Sequence, residues 1–357
     1  MADHPIITAI KAALKSVQVP GGAALADYPG LSDIILTPSA IAFAIAVEPG
    51  MEGAFGPVQA AATEAAQAVA EGRKVLVSIT GDRAPANAAP GGGGAPQKKS
   101  PNQPTPVKGI KKIIAVASGK GGVGKSTCSV NLALALQAQG LKVGVLDADL
   151  YGPSLPKLLG LEGKPAFRDD NFFKPFQAYG LEAMSIGPML EGNQAVVWRG
   201  PMASSALRQL LRETDWGDLD VLVMDLPPGT GDIQISLCQT VQFDGVVMVS
   251  TPQDLALIDA KKAMDMFMRL KIPVLWIVEN MSYFVAPDTG KRYDIFGHGG
   301  AKTTAVEMDL PFLGEIPLHM AIREQSDAGE PIFVKDPEGE QAKAFAAIAD
   351  KISEALK

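Results

Sequence analysis

The sequence has few of the residues from which proteins build disulfide scaffolds and metal centres. Its 357 residues include two cysteines and three histidines. Cys128 and Cys238 lie far apart in the chain, so they cannot form a disulfide-rich scaffold or, within one chain, a four-thiolate metal site. His4, His298 and His319 are scattered, which argues against a histidine-rich metal site.

Long apolar runs and an excess of basic residues are also missing. No stretch reaches the roughly 18 apolar residues that a membrane-spanning helix needs, and the N-terminus lacks the basic start and apolar run of a signal peptide. The chain carries 32 basic and 39 acidic residues, and its net charge of −7 disfavours broad binding of nucleic acid or anionic lipid. We therefore expect a cytoplasmic protein with no nucleic-acid partner and no membrane partner.

A segment rich in proline and glycine divides the chain. Residues 83–108 contain six prolines and four glycines but no aromatic residue, leucine or isoleucine. Such a segment cannot bury enough apolar surface to offset the entropy of ordering it, which predicts a mobile linker. Because 47% of the whole chain is apolar, we expect the flanking segments to fold as two domains, over 1–82 and 109–357.

The first 82 residues predict a small α+β domain. Apolar residues recur at helical spacing over 6–17, and 58–70 is an alanine-rich helical stretch. Alternating residues over 41–47 and an apolar run over 74–79 indicate strands. We interpret the order as α-β-β-α-β, which forms a small layered domain. This part of the sequence has no cysteine, and its one histidine is His4, so a docking or assembly role is favoured over chemistry.

Beyond the predicted linker, apolar strands alternate with helices. Five apolar runs, at 113–116, 143–146, 221–224, 246–249 and 274–278, are typical of strands buried on both faces of a parallel sheet. Helical patterns follow most of them, for example over 125–139 and 255–270. The alternation predicts a doubly wound, mostly parallel α/β domain, in which ligands bind beyond the carboxyl ends of the strands.

The first of these strands leads into a glycine-rich loop. The segment from Gly119 to Ser126 matches G-x-x-x-x-G-K-[ST], in which backbone N–H groups at a helix N-terminus surround phosphate oxygens. Lys125 is expected to reach the β- and γ-phosphates, and Ser126 to bind Mg²⁺. The predicted phosphate-binding residues are Gly119, Gly121, Gly122, Val123, Gly124, Lys125, Ser126 and Thr127.

The same loop also matches the dinucleotide pattern G-x-G-x-x-G, through Gly119, Gly121 and Gly124. Asp147 then lies where a ribose-binding acid would. A dinucleotide site, however, needs neither the Lys-Ser pair that ends the loop nor a second acid at the end of another buried strand. Asp225 is such an acid, because it follows the apolar run 221–224 in a Walker B pattern. The sequence therefore favours a nucleoside-triphosphate site and predicts a P-loop NTPase domain.

Four further residues near the loop are candidates for the chemistry. Lys120 is a second loop lysine, either a solvated charge or, from a neighbouring subunit, a cation that stabilises transition-state charge. Asp147 and Asp149 follow the second strand of this domain. One carboxylate there can position or deprotonate the attacking water and the other can hold the Mg²⁺ shell, the alternative being a turn or helix-capping role. Gly229 can offer its N–H to the γ-phosphate and move on hydrolysis.

Five motifs together give a family resemblance. GKGGVGKST, DADLYGPS, VVWRGPM, DLPPGTGD and VENMSYF closely resemble the Mrp family of ATPases, which are described as iron–sulfur cluster carriers. This family shares a deviant Walker A motif with ATPases of the MinD and ParA kinds. The resemblance covers about residues 110–340, and the first 80 residues resemble, more loosely, the small iron–sulfur assembly domain often fused ahead of such ATPases.

The resemblance implies an ATP-dependent homodimer that serves iron–sulfur assembly proteins or apo-client proteins. It implies that Lys120 acts across the dimer interface and that Asp149 positions the attacking water. It also implies that Asn280 recognises adenine and that Pro317 lies in a loop against the base. From the residues alone, a structural capping role for Asn280 is equally open. The residues predicted for catalysis are Lys120, Lys125, Asp149 and Asp225, and those predicted to hold Mg²⁺, directly or through water, are Ser126, Asp147 and Asp225.

One departure from the family pattern concerns the iron–sulfur cluster. Cluster-carrying members place C-x-x-C after VENMSYF, and two subunits together supply four thiolates. Here Ala286 and Thr289 occupy these positions, and neither side chain is a suitable iron ligand, so no iron–sulfur ligands are predicted. Cys128, at a helix start where a thiol can be acidified, and Cys238 are interpreted as small buried residues. The alternatives to a carrier are a nucleotide-switched scaffold or chaperone without a cluster, and a MinD- or ParA-type positioning ATPase.

Overall fold

A computed structural model describes residues 5–32, 34–36, 40–47, 51–81, 105–168, 172–189 and 200–356. The chain divides into two compact units, residues 1–97 and 98–357, and each unit is described by itself. Most of the predicted linker lies outside the described residues, so the linker and the domain boundaries stay predictions. Among the helices of the described segments, none is long and apolar enough to cross a membrane.

The N-terminal unit has a three-stranded sheet and two α-helices in its described part. Its elements are α1 (Pro5–Leu14), β1 (Ile35–Leu36), β2 (Ala40–Val47), α2 (Glu52–Gln67) and β3 (Lys74–Gly81). β2 is central, antiparallel to β1 and parallel to β3, and the order α-β-β-α-β is the predicted one. Ile10 and Leu14 of α1 share a buried core with Ile41, Phe43 and Ile45, which lie on one face of β2 because strand side chains alternate.

The C-terminal unit is built on a sheet with nine described strands. They are β4 (Ile110–Ala117), β5 (Val143–Asp147), β6 (Phe176–Ala178), β7 (Leu181–Met184), β8 (Leu219–Asp225), β9 (Gly245–Ser250), β10 (Val274–Val285), β11 (Arg292–Tyr293) and β12 (Phe312–Leu318). Their order is β11-β10-β9-β4-β8-β5-β7-β6, and β12 also pairs with β10. The pairs β6–β7 and β10–β11 are antiparallel, and the other pairs are parallel. This confirms the predicted mostly parallel α/β fold.

Helices cover both faces of this sheet. They are α3 (Lys125–Ala138), α4 (Leu155–Leu159), α5 (Gly200–Arg212), α6 (Asp232–Thr240), α7 (Asp254–Arg269), α8 (Gly300–Glu307), α9 (Met320–Ala328), α10 (Ile332–Lys335) and α11 (Glu340–Ala355). Ile114 and Val116 of β4 pack in one core with α3 and α11, whereas Ala115 and Ala117 pack in the other with α6 and α7. A continuous apolar run was therefore the correct signal for this strand.

The strand order brings three carboxyl ends together. β4 lies between β8 and β9, and β5 lies on the far side of β8. β5 and β8 end at Asp147 and Asp225, which are register partners, and Asp225 is also the register partner of Val116 in β4. The loop that leaves β4 therefore starts beside both aspartates, at the edge of the sheet where this class of fold binds its ligands.

Four strands of the C-terminal unit were not predicted from the sequence, namely β6, β7, β11 and β12. Three of them are short, with two to four residues, and both residues of β11 are exposed. β10 continues to Val285 through the VENMSYF motif, well beyond the predicted run 274–278. It does so because its second half pairs with β11 and with the end of β12, a non-local contact that local patterns do not show.

Candidate active site

Three glycines shape the loop that joins β4 to α3. Gly122 and Gly124 have φ of +82° and +80°, in the left-handed region that side chains with a Cβ rarely adopt. A Cβ on Gly119 would lie 2.2 Å from the backbone nitrogen of Ala260 in α7, so only glycine fits there. The loop ends at Lys125, the first residue of α3, where the first N–H groups of the helix have no intrahelical acceptor. This geometry is suited to binding an anion such as phosphate.

A buried ion pair lies at the start of α3. Lys125 Nζ is 2.7 Å from Asp225 Oδ1, and the two side chains are 6% and 0% exposed. The Ser129 hydroxyl donates to the same Oδ1 at 2.6 Å. Asp225 Oδ2 is buried and accepts no hydrogen bond from any described residue. Within the described part of the chain, the carboxylate therefore has one oxygen with two donors and one oxygen with none.

A cavity of about 280 Å³ lies beside this loop. Lys120 lines it, is half-buried and forms no ion pair with the described residues. Asp149, in the loop after β5, also lines the cavity. The structure thus brings several predicted residues around one space. The lining residues are Ser118, Lys120, Gly121, Gly122, Gly124, Lys125, Ser126, Thr127, Asp149, Ser154, Leu158 and Pro228.

Asp147 is buried, and both of its oxygens accept hydrogen bonds from nearby loops. Oδ1 accepts from the Asp149 N–H at 3.1 Å. Oδ2 accepts from the N–H groups of Ser154 and Leu155, at the start of α4, at 3.0 and 3.1 Å, and from the Ser185 hydroxyl at 3.1 Å. This is the turn and helix-capping arrangement that the sequence left open for an aspartate of this loop.

Asp147, the last residue of β5, and Asp149, in the loop that follows, are both partly or fully buried. Burial, together with the charge of Asp225, raises the pKa of Asp147 to about 7. Burial also raises the pKa of Asp149, and the ammonium of Lys125 acts in the opposite direction. Three carboxylates therefore lie near a single buried ammonium group. A bound cation would stabilise their charged forms.

Gly229, the predicted γ-phosphate donor, is hydrogen-bonded to the glycine loop. Its φ is +88°, and its N–H donates to the Ser118 carbonyl at 2.9 Å. The Ser118 hydroxyl in turn donates to the Lys120 carbonyl at 3.0 Å. The N–H of Gly229 can reach a phosphate oxygen only after its bond to Ser118 breaks, so its switch role stays a prediction.

The two residues expected near adenine, Asn280 and Pro317, both lie in strands. The Asn280 side-chain nitrogen donates to the Val123 carbonyl at 2.8 Å, and a Cβ on Gly124 would lie 2.2 Å from the same nitrogen. Asn280, within β10, therefore packs against the glycine loop, and its predicted contact with adenine stays a prediction. Pro317 is buried inside β12, so the expectation of a loop at this residue is wrong. The strand position of Pro317 was missed because β12 was not predicted from the sequence.

The hairpin of β10 and β11 carries the two positions at which the family resemblance places cysteines. Ala286 and Thr289 lie in the turn between the strands. The Ala286 N–H donates to the Lys291 carbonyl at 2.9 Å, and the Gly290 N–H donates to the Ala286 carbonyl at 2.8 Å. Residues 287–291 are exposed. The turn is closed by its own backbone and presents no thiol.

Sequence reasoning missed a polar cluster next to this hairpin. Glu279 is fully buried, and its oxygens accept hydrogen bonds from the Ser282 hydroxyl and from two N–H groups at the start of α8. His298 Nδ1 lies 2.8 Å from an Arg292 nitrogen, and His298 Nε2 lies 3.7 Å from Glu315. Possible ligand atoms of Glu279, His298 and Glu315 lie within 4.8 Å of one another. Because Glu279 is already bonded and Arg292 is a cation, the cluster is a polar network that ties β10 to α8.

Both cysteines are buried and are 4% exposed. Cys128 lies in α3 and Cys238 in α6, and burial raises the pKa of each thiol to about 12. The interpretation of both as small buried residues is confirmed. Acidification of Cys128 at the helix start is not found, because burial and the nearby charge of Asp225 outweigh the ammonium of Lys125.

The strand–loop–helix unit, the buried Lys125–Asp225 pair and the adjoining cavity define the site of a P-loop NTPase. A family described as ParA, NUBPL iron-transfer P-loop NTPase, matches residues 109–353. The chain belongs to this family of iron-transfer P-loop NTPases.

Relatives and a solved structure agree with this assignment. An iron–sulfur cluster carrier protein of Haemophilus influenzae is 54% identical over 260 residues, which are 72% of this chain and 70% of the relative. The iron–sulfur cluster transfer protein NUBPL of Dictyostelium discoideum is 50% identical over 253 residues, which are 70% of this chain and 78% of the relative. The structure of a nucleotide-binding protein from Archaeoglobus fulgidus in complex with ADP is 41% identical, with a TM-score of 0.58 over 66% of this chain and 92% of that chain.

Proposed function

We propose that this chain is a Mg²⁺-dependent ATPase that acts as a nucleotide-switched homodimer in the assembly or transfer of iron–sulfur clusters. The observation that carries the proposal is the buried pair of Lys125 and Asp225 at the end of the glycine loop. A lysine held at the start of α3 has only a short distance to move to reach a phosphate in the adjoining cavity. The solved relative with ADP supports a nucleotide as the ligand.

The residues at the loop suit Mg²⁺. Asp225 Oδ2 is a buried carboxylate oxygen without a hydrogen-bond donor among the described residues, which is costly unless a cation or its bound water fills the position. The Ser126 hydroxyl lies 3.3 Å from Lys125 Nζ and offers a second hard oxygen atom. When bound, Mg²⁺ would neutralise charge on the β- and γ-phosphates. Both oxygens of Asp147 are engaged, so we assign it to holding the loop after β5 and not to the ion.

Hydrolysis is assigned to the residues around the cavity. Loop N–H groups hold the phosphates, and Lys125 moves from Asp225 to the β- and γ-phosphates, where it stabilises the charge that develops there. Asp149 lines the cavity from the loop after β5, where it can accept a hydrogen bond from the attacking water. The raised pKa of Asp149 makes it a better proton acceptor than an exposed aspartate.

A second copy of the chain completes the site in this proposal. Lys120 lines the same cavity, is half-buried and forms no ion pair with the described residues. A cation in that position can stabilise a γ-phosphate bound by a partner subunit, as an arginine finger does. The nucleotide state then controls whether the two copies are held together.

The iron–sulfur context rests on the relatives, which are named as a cluster carrier and a cluster transfer protein. The chain offers little for holding a cluster itself, because Ala286 and Thr289 occupy the hairpin turn and both thiols are buried and neutral at pH 7. We therefore favour a scaffold or chaperone that works on iron–sulfur client proteins in the cytoplasm over a direct carrier. The names of the relatives do not favour a positioning ATPase of the MinD or ParA kind.

The experiment that tests the ATPase is phosphate release by Asp225→Asn, with and without Mg²⁺. We expect Mg²⁺-stimulated hydrolysis to fall roughly 10- to 100-fold, because the amide is a weaker partner for the ion and its waters. Asp244→Asn is the matched control, because Asp244 is also paired with a lysine, at 3.2 Å, but immediately precedes β9, at the edge of the sheet opposite the glycine loop. Equal rates for the two variants would contradict the proposal.

A further inference from the structure

The Asp225 carboxylate is held asymmetrically by two residues of α3. Oδ1 accepts from Lys125 Nζ at 2.7 Å and from the Ser129 hydroxyl at 2.6 Å, whereas Oδ2 accepts from no described residue. Ser129 is 0% exposed. It follows Lys125 by four residues, about one helical turn, so both side chains lie on the same face of α3, toward the end of β8. The Ser129 hydroxyl also lies 3.0 Å from the Lys125 carbonyl, but its single proton has the shorter and charged acceptor in Asp225.

These two donors do not stay equivalent during the proposed reaction. When Lys125 moves to the phosphates, Ser129 becomes the only donor in the described structure that still holds Oδ1. A carboxylate can exchange its two oxygens by rotating about the Cβ–Cγ bond, because that rotor is broad and two-fold. A hydrogen bond to one oxygen restricts this rotation and leaves the other oxygen free for the ion.

We propose that Ser129 is a positioning residue that fixes the Asp225 carboxylate so that Oδ2 is presented to Mg²⁺ after Lys125 has turned to the nucleotide. This inference rests on the proposed ATPase function and deepens it. Ser129 does not touch nucleotide or ion itself. Partners that orient metal ligands typically change metal affinity by 10- to 100-fold when they are removed.

The test is the Mg²⁺ dependence of Ser129→Ala. A fluorescent ATP analogue is titrated in EDTA and then in rising Mg²⁺, and phosphate release is measured over the same Mg²⁺ range. We expect the half-saturating Mg²⁺ concentration to rise about tenfold in both measurements. Binding of the analogue in EDTA is expected to stay within about twofold of the original protein, because the glycine loop and Lys125 are unchanged.

Ser250→Ala is the matched control, since it removes a hydroxyl that is also buried, at 1% exposure, and bonded to the Thr251 carbonyl rather than to Asp225. It should leave the Mg²⁺ dependence unchanged. Ser129→Thr keeps the hydroxyl and is expected to keep the original half-saturating concentration.

Two outcomes separate this inference from the proposed function. An unchanged half-saturating Mg²⁺ concentration in Ser129→Ala, with the original protein clearly Mg²⁺-dependent, overturns the positioning role alone. An equal loss of binding in EDTA and in Mg²⁺ also overturns it, because that result indicates general damage to the loop. If the original protein binds and hydrolyses ATP without regard to Mg²⁺, the proposed function fails and the inference fails with it.

Discussion

Lys125 and Asp225 are 100 residues apart in the sequence, yet Lys125 Nζ lies 2.7 Å from Asp225 Oδ1 in the interior of the C-terminal unit. The pair joins the first turn of α3 to the last residue of β8. It stabilises two charges that burial would otherwise make costly. The same lysine is assigned to the phosphates, so the pair links the phosphate-binding loop to the stability of the fold.

The first prediction concerns stability without nucleotide. Lys125→Ala leaves the Asp225 charge buried and unpaired, which is expected to lower the free energy of unfolding by about 3–5 kcal/mol. Adding Asp225→Asn removes that charge and should recover part of the loss. Lys111→Ala is the control, because Lys111 forms an exposed pair with Asp220 that solvent screens. Chemical denaturation of the four proteins is the measurement, and equal losses for both lysines would contradict the account.

Mixing two inactive variants tests the shared site. If Lys120 acts across a dimer, Lys120→Ala and Asp149→Ala are each inactive as homodimers. In a heterodimer, the Lys120→Ala copy keeps its own Asp149 and receives Lys120 from its partner. Random pairing of equal amounts then restores about a quarter of the active sites. Phosphate release by the mixture is the readout, and activity no higher than that of the separate variants would argue against a lysine acting in trans.

The raised pKa of Asp147 predicts a pH dependence of stability. Burial and the charge of Asp225 move this pKa from 3.8 to about 7, while Lys125 acts in the opposite direction. The Asp147 carboxyl therefore binds its proton more tightly in the folded state than in the unfolded state. This tighter binding adds to the free energy of unfolding in full below about pH 4, where both states are protonated. The added stability is lost as the pH rises through about 7, where the folded state also loses the proton.

Asp147→Asn cannot ionise, so it should lose less stability than the original protein when the pH rises from 4 to 8. Thermal unfolding of both proteins across this range is the measurement. Asp350→Asn, which removes an exposed charge, controls for the change in net charge. Parallel stability curves for Asp147→Asn and the original protein would show that Asp147 is not proton-linked to folding.

The prediction that this chain lacks cluster ligands is tested by measuring its iron and acid-labile sulfide content after anaerobic reconstitution. We expect no stoichiometric cluster, with ATP hydrolysis intact, because the thiols of Cys128 and Cys238 are buried and neutral. A Cys128→Ala/Cys238→Ala protein is measured alongside. A cluster that disappears in this variant would show that the chain carries clusters on its own thiols. A cluster that persists would point to other ligands and would equally contradict the scaffold interpretation.

Local sequence patterns were sufficient to predict β4, the glycine loop, the start of α3 and the end of β8. The apolar run around Ile114 placed β4 correctly, and the glycine pattern that ends at Ser126 placed the loop and the start of α3 correctly. The end of β8 was also placed correctly, because an acid after four apolar residues is a strong signal. Both cysteines were correctly expected to be buried.

Features that depend on non-local pairing were missed. β12 was not predicted, and Pro317 was therefore placed in a loop when it lies in a strand. The contact of Asn280 with Val123 and the hydrogen bond of Ser129 to Asp225 join residues that are 157 and 96 positions apart, so no local spacing shows them. Asp147 was open between a metal role and a capping role, and only the positions of the Ser154 and Leu155 N–H groups favour the second.

The central claim is tested most directly by phosphate release from ATP with Mg²⁺, comparing the original protein with Lys125→Ala and Lys111→Ala. The account predicts Mg²⁺-dependent turnover that falls about 100-fold or more in Lys125→Ala and stays near the original rate in Lys111→Ala. Turnover that persists in a folded Lys125→Ala protein, or that is absent from the original protein in Mg²⁺, would contradict the account.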